Sequence, residues 1–382
     1  MKRYHLTRLV TAGAVAAVGI GVMAAPAQAA VQHHRSGGPV VVVSGLNNPR
    51  QLAFTNHGHR LLIAEAGKGG RITSFSGPEG PTFVGRSGSI SAVWFPQRAN
   101  NWHPHRIVSG LMSAAAKDGS AATGSDGVAK GGHGKIYIQE TFAPVDLPKD
   151  LAAQNGMLLK ARPFHRASAV ADITAYERAN DPDGYGFDSD PYAVIPYYGG
   201  HLVADAAANT VLWVAPWGGI FLFHTFFNVT TGACANMEDP PGHPGCNFVP
   251  NTLATDRWGN VYVGGLSSLT PGEAQVVKLD RTGIVRKTWH VFTSVTGLAV
   301  GGHGSLFVSQ LFADEANPPN PAIQGVVTRV SASGKRTNMD VPFPTGLAWD
   351  GKNLYVSAFS IAPAAGLGAP GTSGQVWRIP LG

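Results

Sequence analysis

Cysteine, charge and unbroken apolar sequence are all scarce in this chain, and each scarcity removes a class of protein. Two cysteines among 382 residues exclude a disulfide-dense miniature scaffold. A charged fraction of 14% argues against a disordered or long-helical chain. No Lys/Arg cluster with interleaved aromatics occurs, so the footprint of a nucleic-acid binder is missing. No G-x-S-x-G elbow is present, and neither cysteine has the surroundings of a catalytic thiol.

Long apolar runs number only two. Residues 9–25 follow Lys2, Arg3 and Arg8 and precede PAQAA, which places Ala27 and Ala29 in an A-x-A cleavage pattern. The run is about 17 residues, short of the roughly 20 that a spanning helix needs. Residues 1–29 therefore read as a signal peptide cut after Ala29, leaving a short flexible stretch, 30–38, and an exported, extracellular protein. Loss of the three basic residues lowers the formal net charge from +6 to +3. The second run, VLWVAPWGGIFLFHTFF (211–227), is broken by Pro216-Trp217-Gly218-Gly219 and reads as two strands and a turn. No membrane span is expected after signal removal.

Glycine (49) and proline (27) are abundant, as in a loop-punctuated all-β protein. One phrase recurs six times: an apolar strand, a turn containing Gly or Asn, then a second strand. The copies lie at about 49–65, 127–140, 191–205, 250–265, 295–310 and 344–358, the last three starting 45 and 49 residues apart. A further strand follows most copies, and AQVVKLDRTGIVRKTWHVF (274–292) shows it crossing a tight turn into a fourth. Four strands (A to D) per repeat of this period make the blade of a β-propeller. The sixth copy ends at GQVWRI (374–379) with no strand D, and VVVVSGL (40–46) matches HRIVSGL (105–111). The expectation is a six-bladed propeller over 39–382 whose N-terminal strand completes the last blade.

The ordered series GLNNPRQLAF, LLIAEAGKGG, GRSGSISAV, DITAYERANDPDG, DSDPYAV, HLVADA, AQVVKL, PTGLAW and GQVWRI resembles the secreted ScyD/ScyE-like family, six-bladed propellers of the NHL/SMP type. The resemblance spans roughly 40–382. It implies fold and export without implying a reaction. The chain departs from it where Gly264-Gly265 and Ser309-Gln310 replace an acidic residue.

The longest connections all fall at B–C or D–A positions, which makes that face the expected functional one. The last residues of the B strands are Glu65, Glu140, Asp205, Gly265, Gln310 and Ala358. Three consecutive carboxylates and Gln310 in one register give a candidate ligand-binding set at the channel mouth. The resemblance to metal-dependent lactonase propellers adds calcium at Glu65, Glu140 and Asp205. The plainer alternative is that each acid accepts backbone N–H groups of its own turn. The acidic run 180–190, with Asp181, Asp183, Asp188 and Asp190, reads as a solvated loop before a calcium loop, since Gly184 is misplaced for an EF-hand. T-A-Y-E (174–177) before it reads as a capping box, and ADITAYERAN (171–180) as a short helix ended by Pro182.

Cys234 and Cys246 sit in a Pro/Gly loop where a disulfide is the simplest reading, because only His243 is near as a metal partner. Asn228-Val229-Thr230 is a glycosylation sequon. His57, His59, His133 and His303 fall in A–B turns, and His103 and His105 share a strand face without a third ligand. The residues thus point to a monomeric binding scaffold for a glycan, peptide or small metabolite. The alternative is a calcium-dependent hydrolase of the lactonase/gluconolactonase kind, which would need a fuller set of oxygen ligands than half the ring offers.

Overall fold

The computed structural model describes residues 38–55, 60–77, 80–94, 104–313 and 325–381. The expected signal segment with its cut after Ala29, the turn holding His57 and His59, His103, and the side chain of His303 lie outside the described residues.

The recurring phrase folds as a hairpin. In the copy at 295–310, strand passes into strand with Val300 opposite Leu306, and the turn closes through Gly301 N–H to the Ser305 carbonyl at 2.8 Å. Gly304 takes φ +73°, a left-handed conformation that a side chain would strain, and Gly134 repeats it at φ +73° in the 127–140 copy. The same tetrapeptide, GGHG, makes the same turn twice.

In chain order the strands are β1 (Val40–Leu46), β2 (Pro49–Thr55), β3 (Arg60–Glu65), β4 (Thr73–Gly77), β5 (Gly80–Trp94), β6 (His105–Ala115), β7 (Thr123–Lys130), β8 (Ile136–Glu140), β9 (Met157–Ala161) and β10 (Ser168–Asp172). Next come β11 (Pro191–Tyr197), β12 (Gly200–Asp205), β13 (Thr210–Val214), β14 (Ile220–Thr225), β15 (Pro250–Thr255), β16 (Val261–Gly265), β17 (Ala274–Leu279) and β18 (Val285–Phe292). The series ends with β19 (Val295–Val300), β20 (Leu306–Gln310), β21 (Val326–Val330), β22 (Arg336–Asp340), β23 (Leu347–Trp349), β24 (Asn353–Ala358) and β25 (Gly374–Pro380). Two short helices, α1 (Lys149–Ala152) and α2 (Ile173–Asn180), sit in connections.

The architecture is an all-β propeller. Four sheets have four strands each: β11–β14, β15–β18, β19–β22, and β1-β25-β24-β23. Six separate sheets are not seen: β2 to β10 form one nine-stranded sheet beside the four of four strands. The seam is short. Strand β6 runs on far enough to pair Ser113 with Gly124 and Ala114 with Thr123 on β7. An unexpected strand, β4, pairs with an extended β5 where the sequence reads as a loop.

The inner strands β2, β7, β11, β15, β19 and β23 touch one another in a closed cycle. Between neighbouring sheets lie apolar layers. One joins Val43, Leu46, Leu52, Leu61, Ile63, Tyr355 and Val376, so that β1 is packed as well as hydrogen-bonded. Each such aliphatic side chain contributes roughly 1.5–3 kcal/mol on leaving water. Residues 210–214 and 220–225 are indeed two strands, and no helix among the described residues is long and apolar enough to cross a membrane. Cys234 and Cys246 form a disulfide with Cα atoms 5.1 Å apart, and both are fully buried. They pack with Phe226, Val229 and Phe248 inside a core layer, while the loop that they close is mostly exposed.

Candidate functional site

The acid register at the ends of the B strands is used locally. Glu65 accepts from Asn47 N–H at 2.8 Å, from Ser91 Oγ at 2.5 Å and from Arg106 Nη2 at 2.8 Å. Glu140 accepts from Ser125 Oγ, and burial drives its pKa well above the usual carboxylate range, with that hydroxyl opposing. Asp205 accepts from Ser189 Oγ and Asp190 N–H, both at 2.7 Å. Burial pushes its pKa up to about 7 against those bonds. Gln310 spans Thr293 N–H and Thr328 Oγ1 at 2.7 and 2.8 Å.

Glu65, Glu140 and Asp205 do not gather within one ion's reach. The shared calcium site expected of them is therefore corrected. Glu65 is held by backbone, hydroxyl and guanidinium donors and Asp205 by a hydroxyl and backbone N–H, while Glu140 has one hydroxyl donor and one oxygen without a partner. The acids that do gather are elsewhere. Among the described residues, Glu177, Asp181 and Asp183 place carboxylate oxygens within 4.8 Å of one another.

The loop-rich face of the channel is closed. Arg50, at the start of β2, is 2% exposed and pairs with Asp126 at 3.1 Å. Its remaining donors reach the Ser360 carbonyl at 2.6 Å and the Ala122 carbonyl. Ala121 N–H bonds the Ile361 carbonyl at 3.1 Å, so two long connections meet across the mouth. Just below, Gln51 reaches across to β7 and β11, bonding Val128 N–H at 3.3 Å and Val194 N–H and C=O at 3.1 and 2.6 Å.

Below Gln51 the channel holds a cavity of about 240 Å³ lined by all six inner strands. Its walls are apolar, among them Leu52, Val194, Leu253 and Leu298. Asn251, 1% exposed, lies on its lining with neither side-chain polar atom partnered. The lining becomes solvent-exposed at Lys130 and Pro196, toward the A–B turns. The channel thus opens on the face opposite the one that the long connections mark in the sequence.

That open face carries aromatic side chains. Phe164, Tyr198, Trp217 and Trp258 are 80, 62, 76 and 61% exposed. They occupy turns between β9 and β10, β11 and β12, β13 and β14, and β15 and β16, all on the A–B/C–D side. Three of them join through their neighbours: Trp217 meets Trp213 edge-on at 6.4 Å, and Trp213 Nε1 bonds the Tyr197 carbonyl. Tyr197 in turn stacks edge-on with Tyr198 and bonds the Gly259 carbonyl at 3.0 Å beside Trp258. An open cleft of about 670 Å³ lies between Tyr198 and Trp258, lined also by Asp256, Arg257, Asn260 and Arg281. Arg257 covers the Trp258 ring at 4.3 Å. The cleft and the channel cavity share Pro196.

Helix α2 differs from its sequence reading at its start. The N-cap is Asp172, whose side chain accepts from Ala175 N–H at 2.8 Å, so Thr174 and Glu177 form no capping box. Glu177 faces inward at 1% exposure, and its pKa is pushed up to about 9 by burial and then by Asp205, Asp183, Asp181 and Asp188. Sequence reasoning missed it. The signal available was its spacing of four from Asp181, one helical turn along the same face. Asn251 and the exposed turn aromatics were also missed, since no local pattern distinguishes them.

No protein family model matches the chain, and no curated protein matches it. Among solved structures, the chain is similar to a putative gluconolactonase, over 91% of this chain and 93% of that one, at 12% identity and a TM-score of 0.49. It is similar to a putative oxidoreductase (glucose dehydrogenase) from Thermus thermophilus over 89% and 99%, at 16% identity and a TM-score of 0.47. It is similar to virginiamycin B lyase from Staphylococcus aureus over 90% and 98%, at 9% identity and a TM-score of 0.45. These likenesses concern the course of the chain and assign it no activity.

Proposed function

We propose that this is an exported six-bladed propeller, of the ScyD/ScyE-like kind, that binds a glycan on its A–B/C–D turn face. The cavity lined by six inner strands supports counting the nine-stranded sheet as two blades joined at a two-residue seam. The single observation that carries the binding reading is the row of exposed aromatic rings, Phe164, Tyr198, Trp217 and Trp258, in neighbouring turns of one face. Large exposed apolar groups in contiguity mark binding surfaces. Aromatic rings flanked by planar polar groups suit sugars, whose C–H faces pack on rings while hydroxyls meet amides and guanidinium groups. Among the described residues neither Arg257 nor Arg281 has a carboxylate partner, which favours a glycan bearing acidic groups.

The alternative, a calcium-dependent lactonase or gluconolactonase-like hydrolase, draws on metal ligands and a general base in the channel. The cavity lining offers amides, hydroxyls, aliphatic and aromatic groups and Lys130. A glycan array followed by calorimetry tests the proposal. Binding of an acidic glycan should weaken at least roughly tenfold in Trp258→Ala and Tyr198→Ala. Stability should stay within about 0.5 kcal/mol, as for ordinary surface substitutions. Turnover of a lactone or ester panel, or an array without a single bound glycan, would overturn it.

A further inference from the structure

We infer that Glu177, Asp181 and Asp183 form a site for a hard divalent cation of the calcium class, on the connection between β10 and β11. Glu177 is 1% exposed, and neither of its carboxylate oxygens has a hydrogen-bond partner. One of them lies with oxygens of Asp181 and Asp183 inside a 4.8 Å span. A carboxylate shut away from water without a donor is costly, and two more acids beside it raise the cost. Among the described residues no Lys or Arg pairs with any of the three. The nearest basic side chain in sequence, Arg178, lies over the Phe187 ring at 3.9 Å. One divalent cation answers all three carboxylates at once.

The donor set selects the ion. It contains oxygen only, with no thiol or imidazole, which favours hard cations over zinc or copper. Glu177 and Asp181 stand one helical turn apart, and Asp181 caps α2 in a left-handed conformation, φ 42° and ψ 63°, that folds the chain back and brings Asp183 in. Calcium accepts such irregular sets and completes its shell with carbonyls and water, whereas magnesium demands near-ideal octahedral geometry.

The site is tied into the propeller. Asp183 Oδ2 accepts from Asn209 Nδ2 at 2.9 Å, and Asn209 Oδ1 accepts from Val249 N–H at 3.0 Å. A cation held here pins the connection after β10 to the β12–β13 turn and, through it, to the start of β15. None of these residues belongs to the aromatic face, so the two proposals stand or fall separately.

Titration calorimetry of the chelator-stripped full chain with calcium chloride alone, then magnesium chloride alone, tests the site. Calcium should bind once per chain and raise the melting temperature with concentration, as a ligand of the folded state does; magnesium should bind more weakly. Glu177→Gln should lose at least roughly tenfold in calcium affinity, yet in chelator it should melt close to the wild type, because the neutral amide replaces a carboxyl that its surroundings already keep from ionising. Asp181→Asn carries the same affinity test should the Glu177 variant fail to fold. Absence of calcium heat from the wild type, or undiminished affinity in the variant that folds, would overturn the inference.

Discussion

Arg50 and Asp126 form an ion pair at 3.1 Å although they lie 76 residues apart and are 2% and 0% exposed. Burial raises the Asp126 pKa, and the guanidinium only partly offsets it. Removing one partner therefore strands a charge. Arg50→Met should destabilise the protein by about 3–5 kcal/mol, and the double change with Asp126→Asn should recover part of that. Urea melts of the single and double variants check this; equal losses would mean that Arg50 acts through packing and its bonds to carbonyls.

Closure by β1 has a measurable worth. Deleting residues 40–46 removes the buried side chains of Val42, Val43 and Leu46 and leaves β25 unpaired on one side. Their burial alone predicts a loss of at least about 4 kcal/mol. An unchanged urea midpoint would refute the contribution.

The disulfide invites a comparison of two replacements. Alanine at both Cys234 and Cys246 should lose about 3 kcal/mol, the loop-entropy value for a loop of this size. Serine at both positions should lose more, because Cys234 sits in an apolar layer where a hydroxyl costs about a further 1–3 kcal/mol. Serine proving no worse than alanine would mean that the layer admits water.

Asp205 predicts an inverted pH response. Its folded pKa, about 7, lies above the ordinary 3.8, so the folded chain holds the proton more tightly than the unfolded one. The stabilisation it contributes is complete below the ordinary value and is lost as pH rises through about 7. Each pKa unit carries about 1.4 kcal/mol. Chemical melts in chelator between those limits should show stability falling with pH, and Asp205→Asn should flatten the slope. A slope identical in the variant would place the titration elsewhere, with Glu177 and Asp188 the next candidates, since their pKa values are pushed up to about 9 and about 7.

Much of the fold was legible in the chain. GLAVGGHGSLFVSQL reads as a hairpin because apolar alternation flanks a glycine turn, and VVVVSGL reads as a closing strand because it copies HRIVSGL. The seam between β6 and β7 was not legible, since two extra residue pairs leave no periodic trace. The acids Glu65, Glu140 and Asp205 fall in one register, but register gives position along a strand and not the donors that turn each side chain aside. Insertion length drew attention to the loop-rich face, where the long connections lie over the channel and lock it through Arg50; the short turns that carry the exposed rings leave no such mark in the sequence. Glu177 was hidden because α2 is capped by Asp172 and not by Thr174, which turns the same residue from a cap into a buried acid.

The pairing of β1 with β25 also sets a timetable. Strand β1 opens with four consecutive valines, and the sheet partner it bonds, β25, is the last strand of the described chain. A ribosome delivers β25 long after β1. Until β25 arrives, an apolar strand waits with both edges bare, the kind of segment that aggregates or attracts chaperones. Only a chain that extends through β25 can bury it. The closing strand thus works as a completeness check, in which a truncated product declares itself by the sticky end it cannot hide.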